Sequence, residues 1–141
     1  MAGYFRTGNH IYNGRHLMGA NIERGTFVTI DADGLIQVAD ADETLVMRVE
    51  EKTELWGREA VALEVVACGD NAVYLLANDS EIDNTCVFDE RYYVVKKDTF
   101  GSIKRPLIGE ELVITVESDL YNTLVEGDLV TVADNGTIAK A

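Results

Sequence analysis

Nucleophilic catalysis by a serine or cysteine needs a histidine beside it in space. The only histidines are His10 and His16, both in a glycine-punctuated N-terminal stretch that reads as too mobile to hold a base in the required geometry. No G-x-S-x-G or H-E-x-x-H string occurs, and neither glycine-rich phosphate loop is present. Cys68 and Cys86 lack a C-x-x-C partner and a neighbouring histidine, which is too few donors for zinc. They read as reduced, buried thiols. Asp31-Ala32-Asp33-Gly34 invites a calcium reading. Placing Gly34 at the glycine position of such a loop puts Thr29 where it needs Asp and Asp40 where it needs a bidentate Glu. The segment therefore reads as a hairpin turn. The acidic runs Asp40-Ala41-Asp42-Glu43, Glu50-Glu51, Asp79–Asp83 and Asp89-Glu90 read as a solvated face rather than an acid–base pair. No catalytic residue, metal or cofactor is expected.

The chain that carries these residues has 141 positions, 47% of them hydrophobic, which suits one domain with a proper core. No apolar run approaches the length that spans a bilayer, and the opening MAGYFRTGNH is too polar for the apolar part of a signal peptide. Lys and Arg number 12 against 25 Asp and Glu, a net charge of -13. So acidic a surface repels phosphate backbones and anionic lipid, which argues against nucleic-acid and membrane-surface roles.

The charge is unevenly placed. No acid precedes Glu23, while Arg6 and Arg15 supply two positive charges; the other 119 residues carry 10 Lys and Arg against 25 acids. Gly3, Gly8, Gly14 and Gly19 alternate there with Tyr4, Phe5, Ile11, Tyr12, Leu17 and Met18. The pattern has neither helical nor strand periodicity. Residues 1–22 therefore read as an extended N-terminal arm, separable from a single β domain over residues 23–141. Tyr4, Phe5, Arg6, His10, Tyr12 and Arg15 are its candidate partner contacts.

Residues 23–141 read as short strands: Thr26–Asp31, Leu35–Ala39, Thr44–Val49, Ala60–Ala67, Ala72–Ala77, Arg91–Lys97, Glu111–Glu117, Asp128–Val132 and Thr137–Lys140. Arg58–Ala67 competes as a helix, but Val61, Leu63 and Val65 keep period two. The expected fold is all-β, a small barrel or sandwich of antiparallel strands. Asp33-Gly34 and Asn135-Gly136 predict type I′ hairpin turns, placing Gly34 and Gly136 as structural turn residues. The two hairpins are also a repeat. Gly25, Val28, Thr29, Gly34 and Ile36 recur as Gly127, Val130, Thr131, Gly136 and Ile138, all at an offset of 102. Pairing of the two hairpins would close a barrel and remove exposed edges. Lys96, Lys97, Lys104 and Arg105 bracket Phe100-Gly101 and form the one basic group of the body, with Lys104 and Arg105 assigned to a loop by Pro106.

Further residues carry a family likeness. Asp89-Glu90-Arg91, Gly101, Arg105-x-Leu107-x-Gly109-Glu110, Ile114-Thr115, Val125-x-Gly127-Asp128 and Asn135-Gly136 follow one another through residues 85–141. This succession, with the opening hairpin over residues 20–39, resembles the head decoration (cement) proteins of tailed bacteriophages. The resemblance implies a non-catalytic β module that binds the major capsid protein outside an expanded icosahedral shell and stabilises it. It implies a dimer or trimer at a local symmetry axis, and a place on the virion exterior after synthesis in the host cytoplasm. Many such proteins have no N-terminal arm. The alternatives are another phage head or tail component, or a ligand- or carbohydrate-binding β module whose aromatic platform would be Trp56 or the Tyr92-Tyr93 pair.

Overall fold

The computed structural model describes residues 3–5, 12–55, 57–69, 73–76 and 94–141, with backbone alone for residues 3–5 and 12–15. The chain is all-β, with thirteen strands and one short helix among the described residues. The strands are β1 (Gly3–Phe5), β2 (Tyr12–Leu17), β3 (Ile22–Glu23), β4 (Phe27–Ile30), β5 (Ile36–Val38), β6 (Asp42–Leu55) and β7 (Arg58–Ala67). After them come β8 (Tyr74–Leu76), β9 (Val94–Val95), β10 (Phe100–Lys104), β11 (Glu111–Thr115), β12 (Leu129–Val132) and β13 (Ile138–Lys140), with helix α1 (Ser118–Thr123) between the last two pairs. A large sheet has the order β1-β11-β7-β6-β12-β13, a small sheet the order β2-β10-β8-β4-β5, and β3 pairs with β9 as a separate ribbon. Every ladder is antiparallel.

The two sheets face each other as a sandwich. Period-two alternation on β6 and β7 sends Met47, Val49, Val61, Leu63 and Val65 inward, where they meet Phe27 and Leu75 of the small sheet. Burying a side chain such as Phe27 contributes about 1.5–3 kcal/mol. The small sheet is buried on its other face too. Val28, Ile36, Leu76 and Ile103 pack there against Met18, and against Ile22 and Val95 of the β3–β9 ribbon. Two buried faces explain why consecutive residues are buried in both strands, Phe27 and Val28 in β4 and Leu75 and Leu76 in β8.

The repeat holds residue for residue. Val28↔Val38, Thr29↔Gln37 and Ile30↔Ile36 in the first hairpin match Val130↔Lys140, Thr131↔Ala139 and Val132↔Ile138 in the second. Closing bonds match as well: Leu35 O accepts from Asp31 N at 2.9 Å, and Thr137 O from Ala133 N at 2.8 Å. The hairpins do not pair into a barrel, however. Each ends a different sheet, and they meet where Gly136 N donates to Ala39 O at 3.0 Å. The small sheet curls far enough for one parallel bridge, Met18 to Ile36, to tie its two ends together.

The two turns also differ. Asn135 and Gly136 have φ 67° and 68°, the expected type I′ geometry. Only Gly34, at φ 79°, is left-handed in the first turn. Asp31 Oδ1 accepts from Asp33 N at 2.9 Å and Leu35 N at 3.0 Å, which holds Asp33 right-handed and makes a type I turn with Gly34 as its bulge.

The N-terminal segment is part of both sheets. Gly3–Phe5 lies along Leu112–Ile114, Tyr12–Leu17 lies along β10, and Met18 is 0% exposed. Removing residues 1–20 would take away both of these strands and the buried Met18 side chain. The Arg58–Ala67 strand is as expected, while β10 and α1 occupy stretches with no predicted element.

The turns give a paired prediction. At Gly34 a Cβ meets nothing within 4 Å, so Gly34→Ala is expected to cost about 1 kcal/mol for the left-handed backbone alone. At Gly136 a Cβ collides with the Phe27 carbonyl oxygen, so Gly136→Ala is expected to cost about 3 kcal/mol or more. Urea unfolding of the two variants checks the difference.

Candidate interaction surface

Antiparallel pairing of β2 with β10 sets Leu17 opposite Phe100. The two side chains share one face, and they are exposed by 39% and 56%. The turn leading into Phe100 carries exposed Lys96 and Lys97. It is firmly held. Lys96 O accepts from Thr99 Oγ1 at 2.6 Å and Lys97 N donates to Asn21 Oδ1 at 2.8 Å. Asp98, at φ 65°, donates its N–H to Met18 O at 3.0 Å, and Met18 N donates to Thr99 O at 2.8 Å. An exposed apolar pair thus adjoins a hydrogen-bonded turn that carries Lys96, Lys97 and Asp98, all exposed, on an otherwise acidic molecule.

The other half of the expected basic group is internal. Lys104 is 0% exposed and forms an ion pair with Glu110, so it does not present charge to a partner. This corrects its loop assignment: β10 runs through Lys104, and its alternation turns that side chain inward. Glu110 Oε1 accepts from Leu107 N at 2.8 Å, which closes the turn ahead of β11. Arg105 is half-buried and donates to Gly69 O at 3.2 Å. Leu17 was missed because its place opposite Phe100 depends on a pairing between distant segments.

Of the arm candidates, Tyr4 and Phe5 lie in β1, and Tyr12 and Arg15 in β2. Arg6 and His10 fall outside the described residues, as do Trp56, Cys86, Tyr92, Tyr93 and the acidic run at 79–83. His16 is half-buried opposite Gly101. The Cys68 thiol donates to Pro106 O at 3.1 Å, and burial pushes its pKa up, away from the reactive thiolate. The Asp31 carboxylate is taken up by its own hairpin, with Oδ2 accepting from Gln37 Nε2 at 3.1 Å. Backbone N–H donation from Leu35, then the Gln37 bond, lowers its pKa.

Two further features are acidic. On the outer face of the large sheet, Glu50 stands beside Glu64, with Glu111 nearby. The hydrogen bond with Glu64 comes first among the causes that raise the Glu50 pKa, followed by desolvation and the repulsion of Glu64 and Glu111. At one end of the sandwich an open groove of about 680 Å³ runs between Thr137–Ala139 and the start of β7, with Glu23, Arg58, Glu59 and Glu117 around it. Glu59 accepts a hydrogen bond from Ser118 Oγ. Among the described residues, no group of three His, Cys, Asp or Glu side chains is arranged to hold a metal ion.

Comparison with family models, curated proteins and solved structures gives no match.

The Glu50 pair yields a pH prediction. An acid whose pKa is raised by folding binds protons more tightly in the folded chain, so its contribution falls as pH rises through and above the ordinary carboxylate value of 4.5. Glu50→Gln removes that loss. The variant is expected to match the parent in melting temperature at pH 4 or below and to exceed it at pH 7. Equal melting temperatures at both pH values would contradict the assignment.

Proposed function

We propose that this chain is a non-catalytic head decoration protein of a tailed bacteriophage, which docks on the outside of the capsid and stabilises it. The observation that carries the reading is the Leu17–Phe100 pair flanked by Lys96 and Lys97, on a chain of net charge -13. Desolvating an apolar pair favours contact, and the lysines select a partner surface that is acidic at that point. The acidic remainder faces solvent and keeps neighbouring particles apart. Many copies on one lattice act together, so each contact need only be weak.

The motif resemblance supports the same reading. Gly109, Glu110, Gly127 and Asn135-Gly136 lie at turns that set where β11, β12 and β13 begin. In this proposal the major capsid protein is the partner, the virion exterior is the location, and the copies sit as dimers or trimers at a symmetry axis.

Co-sedimentation with expanded heads of the source phage tests it. The expected result is saturable binding in simple ratio to the major capsid protein. Phe100→Ser with Lys96→Glu and Lys97→Glu is expected to weaken it by about a hundredfold, roughly 2.7 kcal/mol. No binding by the parent chain would reject the reading, and undiminished binding by the triple variant would reject this surface.

A further inference from the structure

The groove at the end of the sandwich borders an open sheet edge. β13 is the last strand of the large sheet, with β12 on one side and no described strand on the other. Ala133 N donates to Thr137 O at 2.8 Å and Ala141 N to Leu129 O at 2.9 Å. Antiparallel alternation therefore turns the N–H and C=O of Thr137, Ala139 and Ala141 toward β12, and those of Ile138 and Lys140 away from it. Thr137, Ile138 and Ala139 of this edge strand and its turn are among the residues that line the groove. An extended segment laid there meets main-chain donors and acceptors at the spacing a strand requires.

The surroundings select its charge. Glu23, Glu59 and Glu117 line the groove with Arg58, an acidic excess. A second acidic strand is repelled. The chain itself has one stretch of opposite character, residues 1–22, with Arg6 and Arg15 and no Asp or Glu. Within it, β1 is the strand at the opposite edge of the same large sheet.

We propose that β13 and its acidic groove receive the acid-free N-terminal strand of a second copy of this chain. Opposite edges of one sheet then meet, so the contact is head-to-tail. Such a contact closes into a ring or continues as a row, according to the rotation between copies. It uses neither Leu17 nor Phe100, so it stands apart from the capsid-docking surface.

Sedimentation velocity of the full chain over a range of concentrations tests the proposal, together with the synthetic peptide of residues 1–11 as competitor. The parent chain is expected to associate as concentration rises. Glu117→Lys, at an exposed position, is expected to raise the midpoint concentration about tenfold, and Glu117→Gln to raise it less. The peptide is expected to reduce association and to shift the amide signals of Ile138 and Lys140 in NMR spectra, and Phe100→Ser to leave association unchanged. A monomer at every concentration overturns the proposal. So does association insensitive to Glu117→Lys, or peptide-induced shifts confined to residues away from β13.

Discussion

A lysine ammonium inside a protein has to be matched by a carboxylate, and here the match joins the two sheets. Lys104 is the last residue of β10 in the small sheet, and Glu110 immediately precedes β11 in the large one. Their ion pair is buried, and the second carboxylate oxygen takes the Leu107 N–H. The connecting loop is further docked on β7, with Gly109 N donating to Val65 O at 2.8 Å and Val65 N to Glu110 O at 2.9 Å. Removing one member of such a pair leaves an uncompensated charge in a low-dielectric interior, which costs far more than the pair contributes. The position of β10 follows from this crossover, and with it the pairing that sets Leu17 beside Phe100.

Around that crossover the fold uses one hairpin twice, once at an edge of each sheet. The two copies share register and closing bonds but meet different neighbours. β4 pairs with β8 and has both faces buried, whereas β12 pairs with β6 on a sheet whose outer face carries Glu50, Glu64 and Arg48. The distribution of charge follows the same division. Carboxylates gather on the outer large sheet and at the groove, while exposed lysines stand with apolar side chains on the turn into β10. Segregation of this kind orients a molecule on a partner before any close contact forms.

Local chemistry was legible in the sequence. The β12–β13 hairpin is written in Asn135-Gly136, and period two in Val61, Leu63 and Val65 distinguishes the β7 strand from a helix. Reading failed where a distant or competing partner decides. Asp31 overrides the turn type suggested by Asp33-Gly34 through bonds from its own side chain. Gly101-Ser102 has little strand propensity and is in a strand because β2 and β8 flank β10. The segment 12–18 looks like a tail because its partners, β10 and Ile36, lie elsewhere in the chain. Lys104 looks like a surface residue beside Pro106, and only the later Glu110 makes its burial affordable. The helix Ser118–Thr123 is too short to show a period.

A double-mutant cycle on the buried pair tests this account most directly. Urea unfolding would be measured for Lys104→Met, Glu110→Leu and the two together. The account predicts that each single change costs about 3–5 kcal/mol and that the double variant recovers most of that loss. Lys104→Met alone with unchanged stability, or a double variant whose loss is the sum of the singles, would contradict it.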